Sequence, residues 1–384
     1  MLSGVNVALG VSGSIAAVRC IELAHELRRQ GASVRAVMTE SARGVLHPWA
    51  MEFATGRDVV TEITGRVEHV ELCGREGWAD VLLVAPATAN TVGKVAAAVD
   101  DTPVTTCATT ALGADVPVVV VPAMHEPMYD HPGVIEALDR LTAWSVDVVD
   151  PRIEEGKAKI ATTEAIVTAT ARAAGPSPLA GSEVVVAAGA TSEPVDPVRV
   201  LTNRSSGRTG RAVARSCYVR GAEVTLVHDG GDVPYADVRR AETATEMLDA
   251  VLAATETADA VVSAAAIGDF TVDAAAEKIR SGEKRTLHLR PTAKVLDAVR
   301  ERYPDLPVVG FKLETGRDDD ALVAVARESL ERVGLSFVVA NAADAMGGDQ
   351  TRALLVDEDD VVEYAGDKAG LGARIADRLA DAVG

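Results

Sequence analysis

At 384 residues and 48% apolar content the chain is long enough for two domains of ordinary size, and with aromatics at only 3% their cores must be built from Ala, Val and Leu. A formal charge of −19, from 57 acidic against 38 basic residues, argues against nucleic acid as a general partner, because phosphate backbones need clustered Lys and Arg. Only 8 of the basic residues are Lys; an acid-rich, Lys-poor chain fits either a salty cytoplasm, which screens self-repulsion, or a GC-rich genome, and neither bears on function.

Four scattered cysteines, Cys20, Cys73, Cys107 and Cys217, form no C-x-x-C pair, which fits a reducing compartment and argues against a zinc or disulfide framework. Met1-Leu2-Ser3-Gly4 leads straight into a strand with no room for a signal peptide, and no apolar run approaches a membrane span. A cytoplasmic location with no membrane partner is expected.

In chain order, the first half alternates apolar runs with amphipathic segments: strand 5–9, helix 16–29, strand 33–38, helix 41–54, strand 81–85, helix 89–98, strand 117–121, helix 131–142, strand 145–149 and helix 163–173. This pattern predicts a parallel sheet covered on both faces. The first strand runs into Gly10-Val11-Ser12-Gly13-Ser14-Ile15-Ala16-Ala17, which is neither G-x-G-x-x-G nor a Walker A loop and lacks the P-loop Lys. Backbone N–H groups with Ser12 and Ser14 at a helix start suit the phosphate of a mononucleotide. Val67-Glu68-His69-Val70-Glu71-Leu72 carries a histidine in a short extended segment. Val84-Ala85-Pro86-Ala87-Thr88-Ala89-Asn90-Thr91 puts small polar residues at the carboxyl end of a strand, where open α/β sheets bind ligands. Pro122-Ala123-Met124-His125-Glu126-Pro127-Met128-Tyr129 follows the next apolar strand.

Together these stretches resemble the FMN-dependent cysteine-decarboxylase flavoproteins over about residues 4–170, with that family's G-x-S-G-x-x-A-A start, "PASANT"-like stretch and "PxMNxxMW"-like stretch. The resemblance implies a flavodoxin-like domain holding FMN through Gly10, Ser12, Gly13, Ser14, Thr39, Thr88, Asn90 and Thr91, with substrate against Met124, His125 and Met128. It gives His69 the role of catalytic base, which a histidine can fill near neutrality. Two departures stand out. His125 replaces the family's usual Asn, and the lid region Pro151-Arg152-Ile153-Glu154-Glu155-Gly156-Lys157-Ala158-Lys159 lacks the Cys that donates the closing proton. Lys157, Lys159 or Cys73 are the alternatives, Cys73 being equally readable as a small packing residue.

Residues 174–181, Ala-Gly-Pro-Ser-Pro-Leu-Ala-Gly, read as a linker between a domain at 1–173 and another at 182–384. The strand–helix pattern then restarts, with strands 184–188, 223–227, 260–264, 307–311, 336–340 and 353–356 and helices 207–219, 244–254, 293–302, 318–333 and 367–382. The fold class is α/β, two doubly wound Rossmann-like domains. Asp357-Glu358-Asp359-Asp360 reads as a solvated hairpin tip. After strand 184–188, a Gly/Pro/Ser loop and Asn203-Arg204-Ser205-Ser206-Gly207 bring the positive end of a helix to the strand's exit, a second anion site.

The run Gly189-Ala190-Thr191-Ser192-Glu193-Pro194-Val195-Asp196-Pro197-Val198-Arg199 through Asn203 and Gly207 closely resembles phosphopantothenate–cysteine ligase, whose motif reads "GxTxEPxDPVRxxxNxSSGxxG". Ser263-Ala264-Ala265-Ala266-Ile267-Gly268-Asp269-Phe270, Glu277-Lys278-Ile279, Val309-Gly310-Phe311-Lys312-Leu313-Glu314 and Val339-Ala340-Asn341 match further segments in order, so the resemblance covers about 182–384. It implies that a carboxylate is activated on CTP with Mg²⁺ and then captured by cysteine's amine. Asn203 would stabilise the mixed anhydride and Lys278, on the loop 276–285, would serve the amide-forming step. Ser206, Gly207, Ser263, Ala264, Ala265, Asp269, Lys278, Ala293, Lys294, Val295, Leu296 and Phe311 would line the nucleotide site. Helix 318–333 offers the triphosphate only Arg327 and Arg332, so the choice of CTP comes from the resemblance alone.

Both halves together imply a bifunctional coenzyme A biosynthesis enzyme acting on 4′-phosphopantothenate, cysteine and CTP. The alternatives are a working ligase fused to a flavin-holding module without catalysis, or a related flavoprotein of different chemistry. By analogy the flavin domain is expected to form trimers and the ligase domain dimers, together a dodecamer.

Overall fold

A computed structural model of the chain describes residues 1–282, 284–314, 318–342 and 350–384. It divides into two compact units, Met1–Pro176 and Ser177–Gly384.

The N-terminal unit carries β1 Asn6–Val11, α1 Cys20–Arg29, β2 Ser33–Met38, α2 Glu40–Arg43, α3 Pro48–Thr55, α4 Glu68–Cys73, β3 Val81–Ala87, α5 Ala89–Ala96, α6 Pro103–Gly113, β4 Val118–Pro122, β5 Met124–His125, α7 Glu126–Tyr129, α8 Pro132–Ala143, β6 Asp147–Val148, β7 Arg152–Glu154, β8 Lys157–Lys159 and α9 Thr163–Ala174. Its main sheet is parallel, in the order β2-β1-β3-β4-β6. Every residue of β3 and β4 is buried, as expected of apolar strands covered on both faces. Ala8, Leu82, Val84, Val118 and Val120 share one core with residues of α4, α5, α6 and α8. The alternate residues Leu9, Leu83 and Val119, also fully buried, point to the other face. The strand order reverses between β1 and β3, so the carboxyl ends of these two strands form a crevice.

Several expectations change here. Helix 41–54 is two helices, α2 and α3, because His47 caps a fresh start at Pro48. The segment around His69 is helical, not extended, since Val67 turns into the left-handed region and starts α4. Helix α6 has no counterpart in the sequence reading, and the lid region is a hairpin, β7–β8, paired through β8 to β5.

The C-terminal unit carries β9 Glu183–Ala187, β10 Ser192–Pro194, β11 Val200–Thr202, α10 Arg208–Val219, β12 Glu223–His228, β13 Asp237–Arg240, α11 Ala244–Ala254, β14 Ala260–Ser263, β15 Phe270–Thr271, β16 Arg290–Pro291, α12 Val295–Arg302, β17 Val308–Glu314, α13 Asp319–Val333, β18 Phe337–Ala342, β19 Gln350–Val356, β20 Val361–Asp367 and α14 Lys368–Val383. Its large sheet runs β13-β12-β9-β14-β17-β18-β19-β20 and is parallel as far as β18. β19 and β20 are an antiparallel hairpin closed at Asp357–Asp360. The tip is where the sequence placed it; the returning strand β20 is an addition. Order reverses between β9 and β14, the Rossmann switch point. One core lies under α10 and α14, the other under α11, α12 and α13.

Arg300 ties two of these helices down at their carboxyl ends. Its guanidinium donates to the carbonyls of Val333 (3.0 Å), Tyr303 (3.1 Å), Leu306 (2.9 Å) and Gly334 (2.7 Å), and to that of Pro304. A planar five-donor cation satisfies orphan carbonyls that a lysine could not reach together. Arg300→Ala is expected to lower the unfolding free energy of this unit by about 2 kcal/mol. An unchanged urea midpoint would refute that.

Candidate active sites

In the N-terminal unit, hydrogen bonds stitch four strand ends into one rim. Ser12, buried to 1% exposure, donates its hydroxyl to the Pro86 carbonyl (2.6 Å) and accepts from the Thr88 N–H (3.1 Å). The Thr39 N–H reaches the Val11 carbonyl at 3.1 Å, and the Ala123 N–H reaches the Ala87 carbonyl at 3.0 Å. Thr39 and Thr88 cap α2 and α5, and the Thr88 and Thr91 hydroxyls lie 3.0 Å apart. Ser14 caps the 3₁₀ turn before α1 and points its hydroxyl toward the Ala123 carbonyl at 3.5 Å. Asn90 is exposed in the first turn of α5.

Gly13 shows how tight this rim is. A Cβ there would fall 2.3 Å from Ser41 Oγ and 2.9 Å from the Ser41 carbonyl carbon. Gly10 is similarly close-packed, with Val104 Cγ1 at 3.0 Å from its would-be Cβ. The cradle is therefore made of bare backbone and neutral hydroxyls, the donor set that suits a flavin mononucleotide's phosphate.

The other residues named for this half stand on separate elements. His69 sits half-buried on α4, and its Nδ1 is buried with no hydrogen-bond partner. Beside it the buried Glu68 carboxylate accepts from the Thr64 hydroxyl and the Thr64 N–H (2.8 Å), and these bonds hold its pKa down at about 2. Cys73, on the same helix, is fully buried; a hydrogen bond to Cys107 and burial push its thiol far up, so it is a packing residue. Met124 and His125 form β5, where His125 pairs with Lys157 of the lid hairpin, and Met128 is exposed on α7. The Glu126 N–H donates to the Gly156 carbonyl (3.2 Å), so the hairpin turn rests on the methionine motif. Lys159 is paired with Glu154 (3.1 Å) and Glu155 (2.9 Å), which raise its pKa, and Lys157 is exposed.

In the C-terminal unit, segment 264–266 runs beside the exit of β9. The Ala264 N–H donates to the Ala187 carbonyl (2.9 Å), and the Ala266 N–H to the Gly189 carbonyl (2.8 Å). Asn203 Nδ2 donates to the Ala266 carbonyl at 3.1 Å, which joins the two longest motifs. Gly207, at φ +67°, is the N-cap of α10 and approaches Gly189, while a Cβ on Gly210 would sit 2.5 Å from Ala188 Cβ. Ser206 is exposed at this helix start.

Lys294 and Asp269 form an ion pair, and Thr292 donates to the Gly268 carbonyl at 2.5 Å and to the Asp269 carbonyl through its N–H at 3.0 Å. This places Ala293, Lys294, Val295 and Leu296, at the start of α12, beside the segment from Ser263 and Ala265 to Asp269. Phe311 is half-buried in β17. Lys278 is exposed; of its loop 276–285, Glu283 lies outside the described residues.

Three buried polar residues of the loop motif, to which the sequence reading gave no site role, hold this loop system. Thr191 accepts from the Gly268 N–H (2.8 Å), Glu193 from the Ala244 N–H (2.7 Å) and the Thr271 hydroxyl (2.7 Å), and Asp196 from four donors. Their signal in the sequence is polar residues recurring at short intervals directly after a buried strand, where turn residues alone would suffice.

Two switch-point sites of this kind, each on a doubly wound sheet, define a two-unit α/β protein. The Flavoprotein family model matches residues 1–175, and that of the DNA/pantothenate metabolism flavoprotein C-terminal domain matches 179–383. The chain is 49% identical over 364 residues to the coenzyme A biosynthesis bifunctional protein CoaBC of Thermococcus kodakarensis, covering 93% of this chain and 90% of that protein. It is 33% identical to the protein of the same name from Methanocaldococcus jannaschii, covering 99% and 94%. Among solved structures, the FMN-dependent cysteine decarboxylase SpaF is 32% identical with a TM-score of 0.41, covering 46% of this chain and 100% of that one. The chain belongs to the coenzyme A biosynthesis bifunctional protein family, enzymes that join a decarboxylase to a ligase.

Gly13→Ala forces Ser41 off the cradle. The variant is expected to bind FMN at least about tenfold more weakly, read as lost visible flavin absorbance with unchanged far-UV circular dichroism. Full flavin occupancy would show that the loop does not hold the cofactor.

Proposed function

We propose that the C-terminal unit joins 4′-phosphopantothenate to cysteine at the expense of CTP, and that the N-terminal unit, with FMN, decarboxylates the product to 4′-phosphopantetheine. The single observation that carries the ligase half is the Asn203–Ala266 hydrogen bond, which brings a side-chain amide to the sheet's switch point beside the start of α10.

The ligation proceeds in two displacements. A carboxylate oxygen attacks the α-phosphorus of CTP and pyrophosphate leaves; the amine of cysteine then attacks the acyl carbon and CMP leaves. Asn203 stabilises charge on the mixed anhydride, and Lys278 serves the amide-forming step. The loop around Ser206 and Gly207 offers phosphate oxygens the N–H groups of the α10 start, and Lys294, aligned by Asp269, adds a cation. Mg²⁺, brought by the nucleotide, would neutralise charge on the triphosphate.

In the N-terminal unit, Gly10, Ser12, Gly13, Ser14, Thr39, Thr88, Asn90 and Thr91 hold the FMN, which when bound supplies reversible electron uptake. His69 moves the substrate proton, and its orphaned Nδ1 is a buried group awaiting a partner. Met124, His125 and Met128, with the hairpin resting on their segment, orient the substrate. Trp49 and Phe53 lie one turn apart on α3 and are 75% and 78% exposed, so a second copy covering this helix face is part of the proposal. We assign trimers to the flavin unit and dimers to the ligase unit, in the cytoplasm; no helix among the described residues is long and apolar enough to cross a membrane.

Asn203→Ala is expected to slow CTP-dependent pyrophosphate release by at least about 10²-fold with the fold intact. His69→Asn should instead abolish release of labelled CO₂ from carboxyl-labelled phosphopantothenoylcysteine and leave pyrophosphate release unchanged. Normal turnover by either variant in its own assay would remove the corresponding role.

A further inference from the structure

We propose that Asp196 is a positioning residue for Lys278: with Arg199 it clamps the backbone of Ile279 and so turns an exposed loop lysine into a held one. The proposal rests on the assignment of Lys278 to the amide-forming step.

Lys278 stands in a Gly/Ser/charged stretch, and its side chain is exposed. A long side chain on an untethered loop would spend little time at a reacting acyl carbon, so placement must come from its backbone. That backbone is held at both ends. On one side the Ala275 N–H donates to the Val195 carbonyl at 2.9 Å. On the other, the Ile279 N–H donates to Asp196 Oδ2 at 3.0 Å, and the Ile279 carbonyl accepts from Arg199 Nη1 at 3.0 Å. Both polar groups of the residue next to Lys278 are thus taken by one ion pair from a distant part of the chain.

Asp196 is built for two tasks. Its side chain has no exposed surface. Oδ1 accepts from the N–H groups of Val198 (2.8 Å) and Arg199 (2.9 Å), closing a local turn, while Oδ2 takes the Ile279 N–H and the Arg199 guanidinium. Burial works to raise the carboxyl's pKa, but the N–H groups of Val198 and Ile279 and the Arg199 guanidinium outweigh it and hold it below the usual range. Asparagine, common in such turns, has only one acceptor oxygen. It can keep the turn, but its NH₂ then faces the Ile279 N–H and the Arg199 guanidinium as a third donor. A carboxylate is needed only because the second oxygen reaches the lysine segment.

Asp196→Asn in the full chain therefore separates the two tasks. We expect cysteine-dependent release of CMP from the preformed acyl-cytidylate to fall at least about tenfold, and pyrophosphate release without cysteine to fall distinctly less. Lys278→Gln should slow the same second step, and the double variant should be no slower than Lys278→Gln alone, because Asp196 acts through the lysine. Hydrogen exchange should rise in the peptide spanning 275–282 and stay unchanged across 183–194. Arg199→Lys, which keeps the cation but loses the planar fork, provides the same readouts should Asp196→Asn not fold, with a smaller second-step loss expected. Multiplying effects in the double variant, an equal loss in both half-reactions, or unchanged exchange at 275–282 would each overturn the proposal. If Lys278→Gln leaves the second step intact while exchange still rises in Asp196→Asn, the clamp stands as structure but the lysine's role, and the proposal with it, falls.

Discussion

How closely a loop can lie against the ends of its strands decides what each unit can bind. Ser41 occupies the space that a side chain on Gly13 would need, and Ala188 occupies the corresponding space at Gly210. In both places the chain gives up a Cβ so that its backbone can lie against a neighbouring side chain, Ser41 at Gly13 and Ala188 at Gly210, close to the sheet's switch point. The rest follows from that approach. Ser12 can bridge Pro86 and Thr88, and Asn203 can bridge to Ala266, only because the segments they join are already in contact.

This arrangement also answers an electrostatic problem. The chain carries a net charge of −19, yet the reactions proposed for it begin with phosphorylated, multiply charged anions. The chain as a whole has no excess of Lys and Arg, and two cations near the C-terminal site are already engaged, Lys294 with Asp269 and Arg211 with the Ser206 carbonyl. Backbone N–H groups and hydroxyls act at contact distance, where screening by salt matters little. Recognition by fixed dipoles is compatible with an acidic surface in a way that a basic funnel is not.

Much of the architecture was legible because these cores are plain. Runs such as Val81–Ala87 and Val118–Pro122 are apolar on both faces, and the glycine loops that follow strands are visible as motifs. The misses have physical reasons. Helix α6 contains four threonines, and its apolar stripe, Val104, Cys107, Ala108 and Ala111, is built mostly of small residues; Pro103 at its first turn and the reciprocal Thr102–Thr105 capping box start it despite weak propensity. The lid hairpin is too charged to look like a strand pair, but Glu155 and Gly156 both take positive φ and close it as a tight turn. The six residues of α4 are too few to show a helical period around His69. At the sites, Thr191, Glu193 and Asp196 were visible as fixed positions of the loop motif but carried no role, because a buried acceptor and a turn residue look alike until its partners are known.

The two units also share a way of presenting the side chains for which reactive roles are proposed. Neither His69 nor Lys278 stands on a long element of its sheet; each sits on a short segment outside it. In each case a buried carboxylate braces that segment by accepting backbone N–H groups: Glu68 holds Thr64 across the turn that leads into α4, and Asp196 holds Ile279. Val67, a β-branched residue at φ +51°, lies within the Glu68–Thr64 turn, so those bonds also keep in place a conformation that such a residue seldom adopts. A carboxylate suits this task better than a neutral acceptor because its two oxygens satisfy several donors at once, and ionisation strengthens every one of those bonds. On the proposed function the sheet's switch points would receive the phosphates, while buried acids brace the segments that carry His69 and Lys278.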